Sequence, residues 1–575
     1  MSLERTVGSA STAGHALDRR GWLIALAVVV GLALVASLSG LHNGFAYDDV
    51  PIIRDNPRVH ALEGVWRVFR EAYWPAFTTQ ANDGRAAGLY RPLTLLAFAL
   101  EWAAGKGAPW VFHAVNIALY AAVCTAVLWL ASQLQRWRAA VLAAVVFAVH
   151  PVHVEAVGNA VGQSELLAAL FCVLGVAVYV RARRTGTLSW RSTAVVGALY
   201  AAACLSKEHG VLLLPLVVLA ELLVPAVGES AAATSWRVRL RLVAPHWAAL
   251  AGVAIAYLAL RASVPDVVAG QQNTAILRNF AWSVRFYTFL NVVPEWFRLL
   301  LWPQRLAADY SPQQILVPMR WTWSLLSGAA VAVGVIVIAV AISRRHRGSA
   351  FAFAWMLTTL SIASGLFVAT GVLLAERTLF LPSVGIALLA GAVADGALSA
   401  AASRDVRLAG AVGAAVALVV ALGASRSAER QPVWRDNETL FASGVVDAPL
   451  SYRAHFAWGG QLFEMGRYAE GEREVRMAMR LFPVDPDPPD YLASRYMRAG
   501  MCEHAIPLLR QTLDINAHRR YTRLRLISCL LATGQPDSAQ HLAKESVTAV
   551  GADSLLTRML FVADSVVAHR KGRSI

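Results

Sequence analysis

Charged residues are scarce in this sequence. Only 15% of its 575 residues are Asp, Glu, Lys or Arg, and 57% are hydrophobic, whereas an ordinary soluble domain has about 25% charged residues. This composition excludes an ordinary soluble protein and predicts a chain rich in membrane-spanning helices.

Cysteine is also scarce, and its five residues show no metal-ligand spacing and no disulfide framework. Three of them, Cys124, Cys172 and Cys204, lie within apolar runs, where free cysteine commonly packs as a small hydrophobic residue. The cysteines therefore do not identify the redox compartment of the protein.

Acidic residues are outnumbered by basic ones, 37 to 52, which gives a formal net charge of +15. A basic chain can bind nucleic acid, but here the arginines form short clusters between apolar runs. That pattern is typical of membrane topology. We therefore expect the lipid bilayer to be a partner, and we expect no nucleic-acid partner.

Eleven apolar runs have a length compatible with a membrane span, about 20 residues. They are residues 21–39, 111–133, 138–157, 162–181, 191–206, 209–226, 243–262, 322–343, 349–369, 378–397 and 407–425. The first run lacks a small-residue cleavage site behind it, so we interpret it as an uncleaved span rather than a signal peptide. The run 93–104 is too short to cross comfortably and is predicted to be a re-entrant or interfacial helix.

Arginine clusters at alternate span boundaries predict the orientation. They are Arg136/Arg138, Arg181/Arg183/Arg184, Arg237/Arg239/Arg241, Arg344/Arg345/Arg347 and Arg404/Arg407. With the N-terminus inside, all five clusters fall on the inner side, as the positive-inside rule requires. Eleven spans then place the C-terminal tail outside. The composition, rich in Ala and Arg, indicates a bacterium, so we expect the inner membrane with the tail on its periplasmic side.

Two domains are predicted: a polytopic membrane domain at 1–430 and a helical tail at 431–575. The membrane domain has long outer loops at 40–92 and 263–321. Each loop contains an aromatic stretch with apolar residues at helical spacing, Ala61–Trp74 and Phe280–Trp302. Both stretches predict amphipathic surface helices.

The tail contains Gly466, Gly500 and Gly534, each 34 residues from the next. This is the period of tetratricopeptide repeats, and three repeats are about the minimum for a stable stack. We expect an α-solenoid whose concave surface binds a protein or peptide; three unrelated helical hairpins are the alternative. The whole chain is therefore predicted to be mostly α.

Ionisable and polar residues gather at the predicted outer face. They are Tyr47, Asp48, Asp49, Arg91, His150, His153, Glu155, Lys207, Glu208, Asp309, Tyr310, Glu376 and Arg377. Charges beside spans are costly and are functional candidates by default. For any one residue a structural role is as good an interpretation, but a set drawn from several loops to one face predicts an active site.

The residue types indicate the chemistry of this site. Paired carboxylates, Asp48 and Asp49, can deprotonate a hydroxyl or hold a divalent metal. Arg and Lys at an interface can bind a phosphate. Together they suit glycosyl transfer from a polyprenyl-phosphate sugar. His150 and His153 are an alternative metal pair, but they lack a third ligand at fixed spacing, and we assign no metal.

Several short motifs occur in a characteristic order. They are Phe45-Ala-Tyr-Asp-Asp49, Tyr90-Arg-Pro-Leu93, His113-Ala-Val-Asn116, His150-Pro-Val-His-Val-Glu-Ala-Val157, Ser206-Lys-Glu208, Leu306-Ala-Ala-Asp-Tyr310, Ala375-Glu-Arg377, Leu381-Pro-Ser383 and Trp434-Arg-Asp-Asn-Glu-Thr-Leu440. With the repeats, this set resembles the transmembrane, tetratricopeptide-repeat O-mannosyltransferases and their bacterial relatives, of the GT-C glycosyltransferase superfold. The resemblance implies an inverting transfer of a monosaccharide, mannose or similar, from a polyprenyl-phosphate donor to a hydroxyl, often of protein Ser or Thr.

The resemblance also implies residue roles. The acidic pair of the first outer loop carries the catalytic base in that family, and Asp48 is the better match within the pair. Lys207, Arg377 and Arg91 match the basic residues that meet the donor phosphate. Gln163 stands where relatives tend to have Arg.

Two other functions are weaker interpretations. A non-enzymatic scaffold, in which the membrane part only anchors the repeats, needs a single span and no outer acidic pair. This sequence has many predicted spans and such a pair, so the scaffold is the weaker interpretation. A transporter places its polar residues near the bilayer midplane and often repeats its spans, and the sequence shows neither feature.

Overall fold

The three-dimensional structure is a computed structural model that describes residues 19–75, 88–224, 236–265, 267, 280–343, 347–366, 371–551 and 554–572. Residues 76–87 and 268–279 of the two predicted outer loops, and Arg344 and Arg345 of a predicted inner cluster, lie outside that set. In the described ranges, β pairing is limited to one isolated antiparallel bridge between Gln313 and Ser451. The mostly α fold predicted from the sequence is confirmed.

The described helices before residue 431 belong to the predicted membrane domain. They are α1 (Arg19–Ser37), α2 (Pro92–Gly105), α3 (Pro109–Leu134), α4 (Trp137–Ala148), α5 (Val154–Gly158), α6 (Gln163–Arg184), α7 (Trp190–Ser206), α8 (Leu213–Leu223), α9 (Trp236–Ala262), α10 (Trp282–Leu301), α11 (Leu325–Ser343), α12 (Arg347–Ala363), α13 (Phe380–Ala402) and α14 (Val406–Arg430).

Seven helical stretches among the described residues are long and apolar enough to cross a membrane. They are Arg19–His42, Pro109–Leu134, Ala160–Arg184, Arg237–Ala262, Leu325–Ile342, Glu376–Ala402 and Val406–Trp434. Helices α4 and α5 are separated by a bend of 49° and give an eighth if the pair is one span. The chain is therefore a multi-pass membrane protein.

The three remaining predicted spans correspond to shorter helices. Helices α7, α8 and α12 have 17, 11 and 17 residues, so length and composition alone do not identify them as spans. The count of eleven stays a prediction. Helix α2, with 14 residues, matches the short helix predicted at 93–104.

Small residues let helix α13 lie close to its neighbours. A Cβ at Gly391 would come within 2.3 Å of the Ala139 carbonyl oxygen of α4, and one at Gly385 within 2.4 Å of the Ala352 carbonyl oxygen of α12. Such close backbone approach is typical of membrane helices with small residues at their contacts. The packing fixes the beginning of α13 beside the end of α4, where predicted site residues lie.

The two aromatic stretches of the outer loops behave differently. Phe280–Trp302 contains the amphipathic helix α10, as predicted, with Trp296 buried and Trp282 exposed. Ala61–Trp74 does not form an α-helix. Its helical part is a 3-10 helix at Val65–Arg70. Gly64, with φ of 70°, is in the left-handed conformation, so a single right-handed helix cannot run through Ala61–Trp74.

The tail consists of helix α15 (Asn437–Asp447), three helical hairpins and a last helix. The hairpin helices are α16 (Tyr452–Glu464) and α17 (Tyr468–Leu481), α18 (Asp487–Arg498) and α19 (Cys502–Ile515), and α20 (Arg520–Ala532) and α21 (Pro536–Val550), followed by α22 (Ser554–Gly572). Gly466, Gly500 and Gly534 lie at the hairpin turns with φ of 76°, 73° and 72°. The 34-residue period therefore reflects a positive φ that glycine adopts without strain.

A disulfide joins Cys502 of α19 to Cys529 of α20, with a Cα–Cα distance of 5.1 Å. The prediction that the cysteines form no disulfide framework was wrong for this pair. The two residues are 27 positions apart in sequence, and only the stacking of one hairpin on the next brings them together. Neither residue count nor local spacing could therefore identify the bond.

Candidate active site

Asp49 fastens the first outer loop to the membrane helices. Its Oδ1 accepts a hydrogen bond from the Val161 N–H at 2.8 Å, and its Oδ2 accepts from Ala160 at 3.2 Å and from Ala46 at 3.3 Å. The side chain is fully buried. Burial raises the pKa of Asp49 to about 7, although the three backbone hydrogen bonds oppose this. The contacts make Asp49 a structural anchor between the loop and the segment just before α6.

Asp48, the neighbouring residue, lies in a different environment. It is half-buried, and its carboxylate accepts no hydrogen bond from the described residues, whereas its backbone carbonyl accepts from the Ile52 N–H at 3.2 Å. Burial raises the pKa of Asp48, and the positive charge of Arg377 is the strongest influence in the opposite direction. Glu155 raises it further, and Arg91 and Arg453 lower it. Asp48 is thus a carboxylate with unused acceptor atoms among several cations.

Tyr47 turns the chain just before the acidic pair. Its φ of 54° is in the left-handed region, which is unusual for a residue with a side chain. The Tyr47 N–H donates to Oδ1 of Asn437 at 2.6 Å, and its ring meets that of Phe441 edge-on, with centroids 6.0 Å apart. Both partners belong to α15, so the tail holds this turn in place.

The three cations that we expect to meet a phosphate are each paired with a carboxylate from another part of the chain. The pairs are Arg91 with Glu208, Lys207 with Glu165, and Arg377 with Glu155. Neither Lys207 with Glu208 nor Arg377 with Glu376, which are neighbours in sequence, is among these pairs. The cations also influence one another electrostatically, since both Arg91 and Arg377 lower the pKa of Lys207. The structure therefore collects all three at one site.

Arg91 and Glu208 form a two-armed contact. Nε and Nη2 of Arg91 donate to Oε2 of Glu208 at 3.0 and 2.9 Å, and the guanidinium carbon lies 4.9 Å from the centre of the Tyr73 ring. Despite burial, the charge of Arg91 lowers the pKa of Glu208 to about 2. The Arg91 guanidinium is therefore held rigidly beside the site.

Glu376, Asp309 and Tyr310 join the second outer loop to the rest of the site. Oε1 of Glu376 accepts from the Tyr310 hydroxyl at 2.8 Å and from the Ala307 N–H at 2.6 Å. Oδ1 of Asp309 accepts from the Ser451 hydroxyl at 2.6 Å. These contacts make the three residues positioning groups that connect this loop to the beginning of α13 and to the tail.

His150 and His153 hold the bend between α4 and α5. Nε2 of His150 lies 3.0 Å from the Leu300 carbonyl oxygen, and its Nδ1 accepts from the Val152 N–H at 3.3 Å. His153 is placed between the Tyr120 hydroxyl and the Ser383 hydroxyl, at 2.9 and 2.8 Å. All four ring nitrogens have partners, so these histidines do not form the metal pair considered as an alternative.

The donor set at the acidic pair does not fit a shared divalent metal. Both oxygens of Asp49 accept backbone hydrogen bonds, which leaves Asp48 as the available carboxylate. Across the part of the chain that the structure describes, no three His, Cys, Asp or Glu side chains come together as a metal-binding group. We therefore derive no step through a metal.

Some residues of this site were not singled out by the sequence. One is Glu165, which pairs with Lys207. Gln163, which the resemblance marks as a departure from the relatives, lies two residues before Glu165 and donates to Glu101 at 2.5 Å. An acidic residue in the first turn of a predicted span was a usable signal for Glu165. Arg453 lies in the tail, away from the predicted spans, and nothing in its sequence setting distinguished it.

These features define a multi-pass membrane protein with a charged site at the ends of several helices and against a helical-repeat tail. No family model matches the chain. The chain is similar to curated protein O-mannosyl-transferases over most of its length, and the resemblance predicted from the ordered motifs is confirmed.

Three of these relatives illustrate the similarity. The chain is 26% identical to F38B6.6 of Caenorhabditis elegans, over 80% of this chain and 63% of the relative. It is 27% identical to Tmtc1 of Drosophila melanogaster, over 81% and 62%, and 27% identical to TMTC4 of Mus musculus, over 76% and 64%. The chain therefore spans less than two thirds of the length of the relatives it matches.

Solved structures show only distant similarity. The oligosaccharyltransferase AglB from Archaeoglobus fulgidus, in complex with an inhibitory peptide and a dolichol-phosphate, aligns with a TM-score of 0.41 at 13% identity, over 72% of this chain and 56% of AglB. ArnT from Cupriavidus metallidurans, bound to undecaprenyl phosphate, aligns with a TM-score of 0.37 at 14% identity, over 92% of this chain and 80% of ArnT.

Proposed function

We propose that this protein is an inverting membrane glycosyltransferase of the GT-C type. It moves a monosaccharide, mannose or a similar sugar, from a polyprenyl-phosphate donor to a hydroxyl of protein Ser or Thr. The observation that carries the proposal is the setting of Asp48, a carboxylate with unused acceptor atoms on which the charges of Arg377 and Arg91 act, and these two cations also act on Lys207. The names of the relatives support the reaction class.

The reaction follows from this arrangement. The acceptor hydroxyl oxygen attacks the anomeric carbon of the sugar while the bond from that carbon to the phosphate oxygen breaks. Asp48 takes the proton of the hydroxyl. The leaving phosphate keeps the bonding electrons, and Arg377, Arg91 and Lys207 stabilise its charge. A single displacement of this kind inverts the configuration at the anomeric carbon.

A donor-consumption assay tests the proposal. The purified full chain is incubated with a panel of polyprenyl-phosphate sugars, with a Ser/Thr-containing protein and with a short peptide. We expect one donor to be consumed and its sugar to appear on the acceptor with inverted configuration. If no donor of the panel is consumed with either acceptor, the proposed function is wrong.

The hairpins α16–α21 are proposed to recruit or orient the acceptor protein. Their Ser451–Arg453 end contacts the site, so a chain that ends at Leu481 is the informative truncation. We expect it to lose transfer to the protein acceptor more than transfer to the short peptide. Equal loss with both acceptors would count against a recruiting role.

The charge of Lys207 makes donor use dependent on pH. Burial lowers the pKa of Lys207 to about 8, although Glu165 opposes this. Lys207 is therefore charged below that pH and loses its charge as the pH rises through about 8. We expect the KM for the donor to rise about tenfold between pH 7 and pH 9. The Lys207→Arg variant stays charged over this range and should show a flat profile; equal slopes for the two proteins would contradict the assignment.

We further propose that the tail lies on the outer side of a bacterial inner membrane. The disulfide between Cys502 and Cys529 supports this, because disulfides persist in oxidising compartments such as the periplasm. A periplasm-dependent reporter should be active when fused after Ile575 and inactive when fused after Arg184, which belongs to a predicted inner cluster. If the fusion after Ile575 were active only with a cytoplasm-dependent reporter, the proposed orientation would be wrong.

A further inference from the structure

The beginning of the tail is built into the site. Besides the contact of Asn437 with Tyr47, the Ser451 hydroxyl donates to Asp309 at 2.6 Å. Nη1 of Arg453 donates to the Gly371 carbonyl oxygen at 2.8 Å. One stretch, from α15 to the first turn of α16, thus contacts three separate outer segments that carry site residues.

Arg453 differs from the other cations of the site. Arg91, Lys207 and Arg377 each form a salt bridge with a carboxylate. Arg453 forms none with the described residues: its Nη1 donates to the Gly371 carbonyl, and its Nε donates to the Tyr452 hydroxyl at 3.1 Å. A guanidinium has five N–H donors, so three donors of Arg453 remain for a ligand.

The charge of Arg453 reaches the residues around Asp48. Arg453 is half-buried, and its charge acts on Tyr47, Asp48 and Asp309. Tyr47 is 38% exposed, so the space beside it is open to a molecule arriving from outside the membrane. The cations paired with carboxylates come from the membrane part, where a lipid phosphate would lie.

We propose that Arg453 binds the acceptor, donating hydrogen bonds to a backbone carbonyl of an extended peptide whose Ser or Thr hydroxyl lies at Asp48. This inference rests on the proposed function, and it assigns to the first repeat helix a direct contact with the substrate. Extended backbone already runs beside the first repeat helix. The Gln313 N–H donates to the Leu450 carbonyl oxygen at 2.8 Å, and the Tyr452 N–H donates to the Pro312 carbonyl oxygen at 3.0 Å.

Three variants of the full chain test this role. Arg453→Gln removes the charge and most of the donors, and Arg453→Lys keeps the charge but not the forked geometry. Arg467→Gln is the matched control, because Arg467 lies at the beginning of α17 in an exposed pair with Glu470. The measurements are the KM for each substrate, and the dissociation constant of a fluorescent Ser/Thr-containing peptide without donor.

We expect Arg453→Gln to raise the KM for the peptide and its dissociation constant about tenfold, with the donor KM unchanged. Arg453→Lys should recover part of the loss, and Arg467→Gln should match the parent. A rise in the donor KM alone would mean that Arg453 serves the phosphate, and unchanged values for both substrates would mean no binding role; either result overturns the proposal.

Peptide binding separates this inference from the proposed function. If the parent transfers no sugar but binds the peptide more tightly than Arg453→Gln does, the proposed function fails and the binding role of Arg453 stands. If the parent transfers sugar and the variant binds the peptide equally well, the function stands and the role of Arg453 is wrong. A parent that binds no peptide also overturns it.

Discussion

Replacing Asp48 with Asn is expected to lower the rate of sugar transfer about 10²- to 10⁴-fold, the range that a positioned general base contributes. Asn is nearly isosteric and still accepts hydrogen bonds, but it cannot take a proton from the acceptor hydroxyl. The donor KM should stay near its parent value. Single-turnover transfer with saturating donor and acceptor measures the effect on the chemical step.

Asp49→Asn is the matched control, because it changes the same functional group one residue away. An Asn at this position places an NH₂ group where a carboxylate oxygen now accepts hydrogen bonds from backbone N–H groups. Two donors then face each other and cannot form a hydrogen bond. Leaving such a buried group unsatisfied costs about 1–3 kcal/mol, so the yield and unfolding midpoint should fall while the folded fraction keeps its transfer rate. A folded Asp48→Asn protein that transfers sugar at the parent rate would place the base elsewhere.

Replacing Arg377 with Gln is expected to reduce donor kcat/KM about 10²-fold or more, since a charge-assisted contact to the leaving phosphate is lost. The same change leaves Glu155 without its cation. The side chain of Glu155 is fully buried and also accepts from the Arg377 N–H at 2.8 Å. An unpaired buried carboxylate costs about 3–5 kcal/mol, so the single variant should also be less stable.

The double variant Arg377→Gln with Glu155→Gln separates the two effects. Removing both charges should restore much of the stability, because neither partner is left as an uncompensated ion. Donor use should stay low. Thermal unfolding together with donor kinetics measures both quantities, and recovery of normal donor kinetics in the double variant would show that Arg377 serves only the ion pair.

The gathering of candidate residues at one end of the helices could be predicted because it depends on the alternation of spans alone; its outer side stays a prediction. Once the arginine clusters define the inner side, every charged loop on the other side falls on one face. The repeats were predictable for a similar reason, since a turn that needs a positive φ recurs wherever the hairpin recurs.

The roles within that collection could not be predicted, because they depend on distant contacts. Asp48 and Asp49 are adjacent, and what separates them is the position of the Val161 and Ala160 amides, 112 and 111 residues away. Lys207 meets Glu165 rather than its neighbour because helix packing, not sequence, brings the two together. The residue type of His150 and His153 suggested a metal pair, but in the fold they hold the bend between α4 and α5.

The pairing of every donor-site cation with a carboxylate has a consequence for turnover. A polyprenyl-phosphate sugar is a phosphodiester with one negative charge, and losing the sugar leaves a monoester that gains a second charge near neutral pH. Three bare cations would retain that product strongly. Cations that are already paired with carboxylates hold the product less firmly. They form their salt bridges again when the product leaves. Added polyprenyl phosphate should accordingly inhibit the parent weakly and a Glu208→Gln variant more strongly, so that the acidic residues would set how fast the site empties.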